Sequence, residues 1–305
     1  MMRHYQNPPL VFSGLILGTM ALGNLLAGFL PAVKWLTIPL ALIMYSLLIM
    51  GIIRHPKEAL NQLKLPIVAS VFPTFFMVGM LFASFLIQSG WALVGTVFWW
   101  MNLISNLILI AYYLNRFVFA FKWENVYPSW TVLFVGVAMS SLTAPASKAF
   151  TLGQVVFWIC LVMTIIIFPI LLKKTYQIGL PDAFLPNIST FCAPLSLLLA
   201  GYLSTFPHPK TSMVVFLLFS SQTLYVFVIW QLPKLLKRPF TPGFSAFTFP
   251  YVISATSLKI ALSFLGIKGL VSLLVYAELA IALVLVTYVL VLYIRFLQSQ
   301  KTVGS

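Results

Sequence analysis

Acidic residues are the scarcest feature of this chain: four Asp and Glu stand against 18 Lys and Arg in 305 residues, for a formal net charge of +14. Charged residues of both signs make up only 7% of the sequence, where soluble domains carry roughly a quarter. A water-facing surface is therefore excluded. The shortage of carboxylates also excludes a cation filter or proton relay built from rows of intramembrane Asp and Glu. Glu58, Glu124 and Asp182 fall in links between apolar runs, and only Glu278 falls inside one. Cysteine is nearly absent. Cys160 and Cys192 both lie in apolar runs, which leaves no disulfide framework and no zinc spacing. The three histidines, His4, His55 and His208, sit in terminal or link segments. No phosphate-binding loop, dinucleotide fingerprint or metal-ligand cluster is present. No catalytic constellation follows, so neither an enzyme nor a bound cofactor or metal is expected.

What fills the chain instead is apolar: 61% of its residues. A spanning helix needs about 20 such residues, and the runs predict ten, near 10–30, 35–53, 66–87, 91–113, 128–146, 152–172, 187–206, 211–232, 243–264 and 270–294. The first run is too long for a signal peptide and is expected to remain as a span. Short links (31–34, 88–90, 147–151, 207–210, 265–269) alternate with longer ones (54–65, 114–127, 173–186, 233–242), which pairs the helices into five hairpins. Pro9, Pro66 and Pro73, Pro128, Pro186 and Pro194, and Pro242 and Pro250 mark the start of each odd helix at about one fifth of the chain, a parallel internal repeat. The fold class expected is an all-α integral membrane protein: one transmembrane domain over 1–305, five hairpins in quasi-fivefold arrangement. The N-terminus, the longer links and the C-terminus hold thirteen basic residues, from Arg3 to Lys301, and the short links hold four, Lys34, Lys148, Lys210 and Lys268. That asymmetry predicts cytoplasmic termini in a cell membrane. It also explains the basic charge without nucleic acid, because no basic helical face with interleaved aromatics occurs.

At about 100° per residue, small and hydroxylated residues share one face of every odd helix. Gly14, Gly18, Ala21 and Gly28 do so in the first, and Ser70, Thr74, Met77 and Ser84 in the third. Gly136, Ser140 and Thr143 follow in the fifth, Ser189, Ala193, Ser196 and Ala200 in the seventh, and Ser245, Phe249, Thr256 and Ser263 in the ninth. Such a stripe serves either close helix packing or the lining of a pathway; its recurrence in all five favours an inner ring around an axis. The pore-lining candidates are Gly14, Gly18, Thr74, Ser140, Ser196 and Thr256. Pro73, Pro194 and Pro250 lie deep enough to kink their helices, either as tolerated bends or as devices that widen a pathway. Lys259 and Glu278 lie at similar depth on antiparallel neighbours. Each is costly alone in a bilayer, so an ion pair between them is predicted.

Several local strings resemble a known family. Phe12-Ser-Gly-Leu-Ile-Leu-Gly18 with Ala21-Leu-Gly23 is similar to the opening helix of the tellurite-resistance/dicarboxylate transporter family, which includes the plant slow-type anion channels. Phe72-Pro-Thr-Phe-Phe-Met77 resembles its third helix, and Ala193-Pro194 with Ala200-Gly201-Tyr202 its seventh. The most specific string, Phe247-Thr-Phe-Pro-Tyr251, resembles the opening of its ninth. The resemblance implies a homotrimer with one pore per protomer, odd helices inside and even helices outside, and a phenylalanine of the ninth helix closing the pore. The matching position is Phe249. It further implies passive passage of small monovalent anions through a lipid-embedded channel. The alternative is a secondary transporter of C4-dicarboxylates or oxyanions such as tellurite.

Overall fold

The computed structural model describes residues 7–302, with side chains through 299; Arg3, His4 and the Lys301 side chain lie outside the described residues. Among them there is no strand. Ten helical spans follow one another: α1 Leu10–Ala27, α2 Pro31–Arg54, α3 Pro66–Gln88, α4 Ala92–Val118, α5 Thr131–Ser147, α6 Phe150–Ile178, α7 Asp182–Thr205, α8 Thr211–Leu236, α9 Pro242–Phe264 and α10 Gly269–Ser299. Nine are long and apolar enough to cross a membrane, and α5 is shorter.

The spans form two concentric layers. In the most apolar stretches of α1, α3, α7 and α9, 61–78% of residues are buried, against 28–39% in the even helices. An odd helix is thus enclosed by protein, whereas an even helix presents most of its apolar surface outward to the acyl chains that replace water as its solvent. Each even helix packs on the odd helix before it, as hairpins require, and the odd helices close a ring: α1 on α3, α3 on α5, α5 on α7, α7 on α9, and α9 back on α1. Gly90, at φ 95°, supplies the left-handed residue that the tight α3–α4 turn demands.

Even helices end later than their apolar runs. α4 continues through a π-helical turn at Leu114–Val118 and α6 through another at Lys174–Ile178, where links were expected from 114 and 173. Arg116, Lys173 and Lys174 end the hydropathy signal but are good helix formers, so the backbone runs on past the apolar boundary. The link 54–65 also contains a helix of its own, Pro56–Leu63.

The odd helices are broken instead of bent. Four begin irregularly and turn into regular α-helix partway along, and α3 is two α-segments with a break between them. α1 has a 3-10 turn, Leu10–Phe12, before Ser13; α7 has a 3-10 stretch, Asp182–Cys192, before Ala193; and α9 has one, Pro242–Phe247, before Phe249. α3 divides between Val71 and Pro73, and α5 passes through π and 3-10 turns before its α-helical part at Met139–Ser147. Pro73, Pro194 and Pro250 were expected to kink continuous helices. They sit instead at the first or second position of a new α-segment, where the missing N–H has no helical partner to lose.

One hydroxyl per odd helix accompanies these breaks. Ser13, Thr74, Thr131, Thr190 and Thr248 each donate to the carbonyl three residues earlier, at 2.7–2.9 Å. All five are buried, and they recur at intervals of 61, 57, 59 and 58 residues. Backbone carbonyls at irregular turns cannot turn to water inside a membrane, and these hydroxyls give them a donor beside their backbone N–H bonds, as at Leu10, Pro128 and Ser245. Hydroxyls also cross every seam of the ring: Ser13 with Thr74 at 2.6 Å, Ser70 with Ser129 at 2.7 Å, Thr131 to the Thr190 carbonyl at 3.3 Å, Ser189 with Tyr251 at 3.1 Å, and Thr248 to the Gly14 carbonyl at 2.9 Å. The fivefold repeat is therefore written in hydrogen bonds as well as in helix order.

Candidate functional site

The axis of the inner ring holds two cavities. The tighter one, about 30 Å³, is lined by all five odd helices, including Gly14 of α1, Thr74 and Met77 of α3, Thr131 and Gly136 of α5, Thr190 and Pro194 of α7, and Ser245 of α9. Its walls are overwhelmingly apolar, and its Thr74, Thr131 and Thr190 hydroxyls already donate to backbone carbonyls. The wider one, about 400 Å³, opens toward the short links. It takes its walls from α1, α3, α5 and α9, with Lys34 from α2.

A single residue borders both spaces: Phe249. It is 5% exposed and begins the α-helical half of α9 directly after Thr248, whose φ −109° and ψ −87° break the helix. Thr248 Oγ1 donates to the Gly14 and Ser245 carbonyls, at 2.9 and 2.7 Å, so the break is tied to α1 immediately before the ring. Gly18 makes that approach possible. A Cβ there would fall 2.5 Å from the Thr248 Cβ and 3.0 Å from the Phe249 nitrogen. Phe249 stacks on no other aromatic ring among the described residues, whereas Phe247 is fully buried and packs edge-on against Phe244 at 5.0 Å. The apolar ring on the axis is free of aromatic partners; the one two residues earlier is locked in the core.

The remaining predicted positions divide evenly. Gly14 and Thr74 line the tighter cavity and Thr256 the wider one. Gly18 faces α9 as just described. Ser140 and Ser196 are wholly buried, donate to the Val137 and Cys192 carbonyls, and line neither cavity. Within the regular halves of α5 and α7 the lining faces centre on Met139, Thr143 and Ala146 and on Ala193, Pro194 and Leu197, about 100° around the helix from Ser140 and from Ser196.

The predicted Lys259–Glu278 ion pair is absent. Lys259 Nζ lies over the Phe29 ring, 4.0 Å from its centroid, and borders the wide vestibule. Glu278 is buried on α10 beside Ser254 and Gln222, and its Oε2 has no protein hydrogen-bond partner. Ser254 and Lys259 are five residues apart on α9, about 140° around a helix, so the face that meets Glu278 turns Lys259 away. The one ion pair among the described side chains is Arg238–Asp182, at 3.1 Å in exposed positions. Sequence reasoning also missed Ser13, Thr131, Thr190 and Thr248; their near-regular spacing of about one fifth of the chain was the available signal.

No curated protein matches the chain. A family model does: the voltage-dependent anion channel model, SLAC1, matches residues 8–295. That match runs from the first turn of α1 almost to the end of α10, across both rings and both cavities. With its ten helical spans, the chain is a multi-pass membrane protein belonging to the SLAC1 family of voltage-dependent anion channels.

Proposed function

We propose that the protein is a passive channel for small monovalent anions whose axial pathway is closed at rest by the ring of Phe249. The observation that carries this reading is that Phe249 alone is shared by the two cavities on the axis. An apolar constriction of this kind excludes water, and with it any hydrated ion. Opening requires only that one side chain, held by no aromatic neighbour, leave the axis. The pathway beyond it offers carbonyl-bonded hydroxyls and apolar walls without a convergent charged pocket at the constriction. Weak contacts suit fast passage with little discrimination, and they argue against a two-state carrier for dicarboxylates or oxyanions such as tellurite. The homotrimer and the plasma-membrane location follow from the family resemblance and belong to this proposal.

The test is anion conductance of reconstituted protein in planar bilayers. Phe249→Ala is expected to raise chloride conductance at least about tenfold over wild type, equivalent to lowering the passage barrier by about 1.4 kcal/mol. Phe249→Leu, which keeps bulk, is expected to raise it less, and Phe247→Ala not at all. A saturating, exchange-coupled flux with no conductance would favour the carrier. Folded Phe249→Ala protein as silent as wild type would refute the single-ring gate.

A further inference from the structure

The vestibule on the short-link side of Phe249 carries two ammonium groups, Lys259 and Lys34, and none of the four acidic residues of the chain borders it. Asp182 is taken by Arg238, and Glu278 of α10 lies against another face of α9, beside Ser254. Lys259 is nevertheless well held. Its Nζ sits over the Phe29 ring at 4.0 Å, a contact that attracts a cation without neutralising it. Gly28 leaves it the room: a Cβ there would stand 2.1 Å from Nζ. The amides of Asn24 and Gln88 border the same space and can donate to an anion alongside the lysine. A partly buried cation kept in place by an uncharged partner, facing a cavity of about 400 Å³, has its positive charge left over for something that enters that cavity.

We infer that Lys259, with Lys34, forms an anion-capture site in the vestibule, which concentrates small monovalent anions at the mouth before they meet the Phe249 constriction. The inference rests on the anion-channel reading and names the residue that supplies its charge preference. Electrostatic focusing in a low-dielectric funnel raises the local concentration of the opposite charge. It also explains how an apolar constriction whose threonine hydroxyls are engaged serves anions: the selection occurs one step earlier, over the vestibule.

Two measurements test it. The first requires no open pore. A reporter cysteine is placed in the vestibule by Ser84→Cys; the native Cys160 and Cys192 are buried and leave the reporter as the reactive thiol. Its rates with an anionic and a cationic methanethiosulfonate are compared. Adding Lys259→Met is expected to lower the anionic-to-cationic rate ratio about tenfold at about 0.1 M salt, each reagent changing about threefold as the field of one near charge in water is removed. Lys259→Arg is expected to preserve the ratio, and the difference is expected to fade near 1 M salt, where the screening length is about 3 Å. The second measurement adds Lys259→Met to Phe249→Ala and reads chloride conductance, expected to fall about threefold at low salt and to recover when Lys259→Cys is modified by the cationic reagent. An unchanged reagent ratio in folded Lys259→Met protein would overturn the capture site. A ratio that falls while Phe249→Ala stays silent would uphold the capture site and remove the gate.

Discussion

Thr248 does more for the site than its position in a run of aromatics suggests. Its hydroxyl bridges two carbonyls, one on α1 and one in its own irregular turn, and the next residue is the ring on the axis. Val has the same branched shape and lacks the hydroxyl, so Thr248→Val keeps the packing, removes the tie to the Gly14 carbonyl and leaves the Ser245 carbonyl only the longer Thr248 N–H bond, at 3.3 Å. A lost intramolecular hydrogen bond costs about 0.5–1.5 kcal/mol net. The expected outcome is a lower midpoint of thermal unfolding in detergent together with a chloride leak between that of wild type and Phe249→Ala. A variant as stable and as silent as wild type would show that the tie has no part in holding the ring. Phe249 itself was legible from Phe247-Thr-Phe-Pro-Tyr251, because a string can point to a position. Which hydroxyl anchors that string was not, since the Gly14 carbonyl that Thr248 reaches lies 234 residues away.

Helix count and pairing follow from run lengths and link lengths, which is why all ten spans stood out in the sequence. The interior of each odd span did not. Hydropathy carries no mark that separates an α-turn from a 3-10 or π turn, and a stripe of small residues does not fix the centre of the inward face, so Ser140 and Ser196 were drawn onto the axis although they line neither cavity. The same reasoning from depth alone paired Lys259 with Glu278, because depth says how far along a helix a residue lies and nothing about which way it faces. The structure yields a different expectation for those two. With Lys259 over Phe29 and Glu278 beside Ser254 and Gln222, they share no partner, and the effects of Lys259→Met and Glu278→Gln on unfolding free energy should add within about 0.5 kcal/mol. A direct buried pair would instead make either single change far costlier than the double, by about 3–5 kcal/mol. A coupling of that size in the double-mutant cycle would restore the ion pair and contradict the face assignment.

At the scale of the whole molecule, the two rings divide the labour. The inner ring tolerates broken helices because the outer ring keeps lipid away from its backbone, and irregular chain at membrane depth survives only where protein encloses it. That enclosure also orients the molecule. Every odd helix is broken near its start and runs as regular α-helix toward the vestibule, so the five hairpins point the same way and Leu10 and Ser299 lie at the same end of the bundle. The basic residues of the long links, Lys57, Lys64, Arg116 and Lys237 among them, cluster at the irregular end, and positive charge resists translocation. On that reading the vestibule with Lys259 is expected to open to the outside, facing the anions it would gather. Single cysteines at Ser89 and His208, both exposed in short links, are expected to react with an impermeant reagent added to intact cells. A cysteine at Lys237, exposed at the opposite end, is expected to react only after permeabilisation. Labelling in the reverse order would turn the molecule over, place the constriction outward, and make the vestibule a collector of cytoplasmic anions for export.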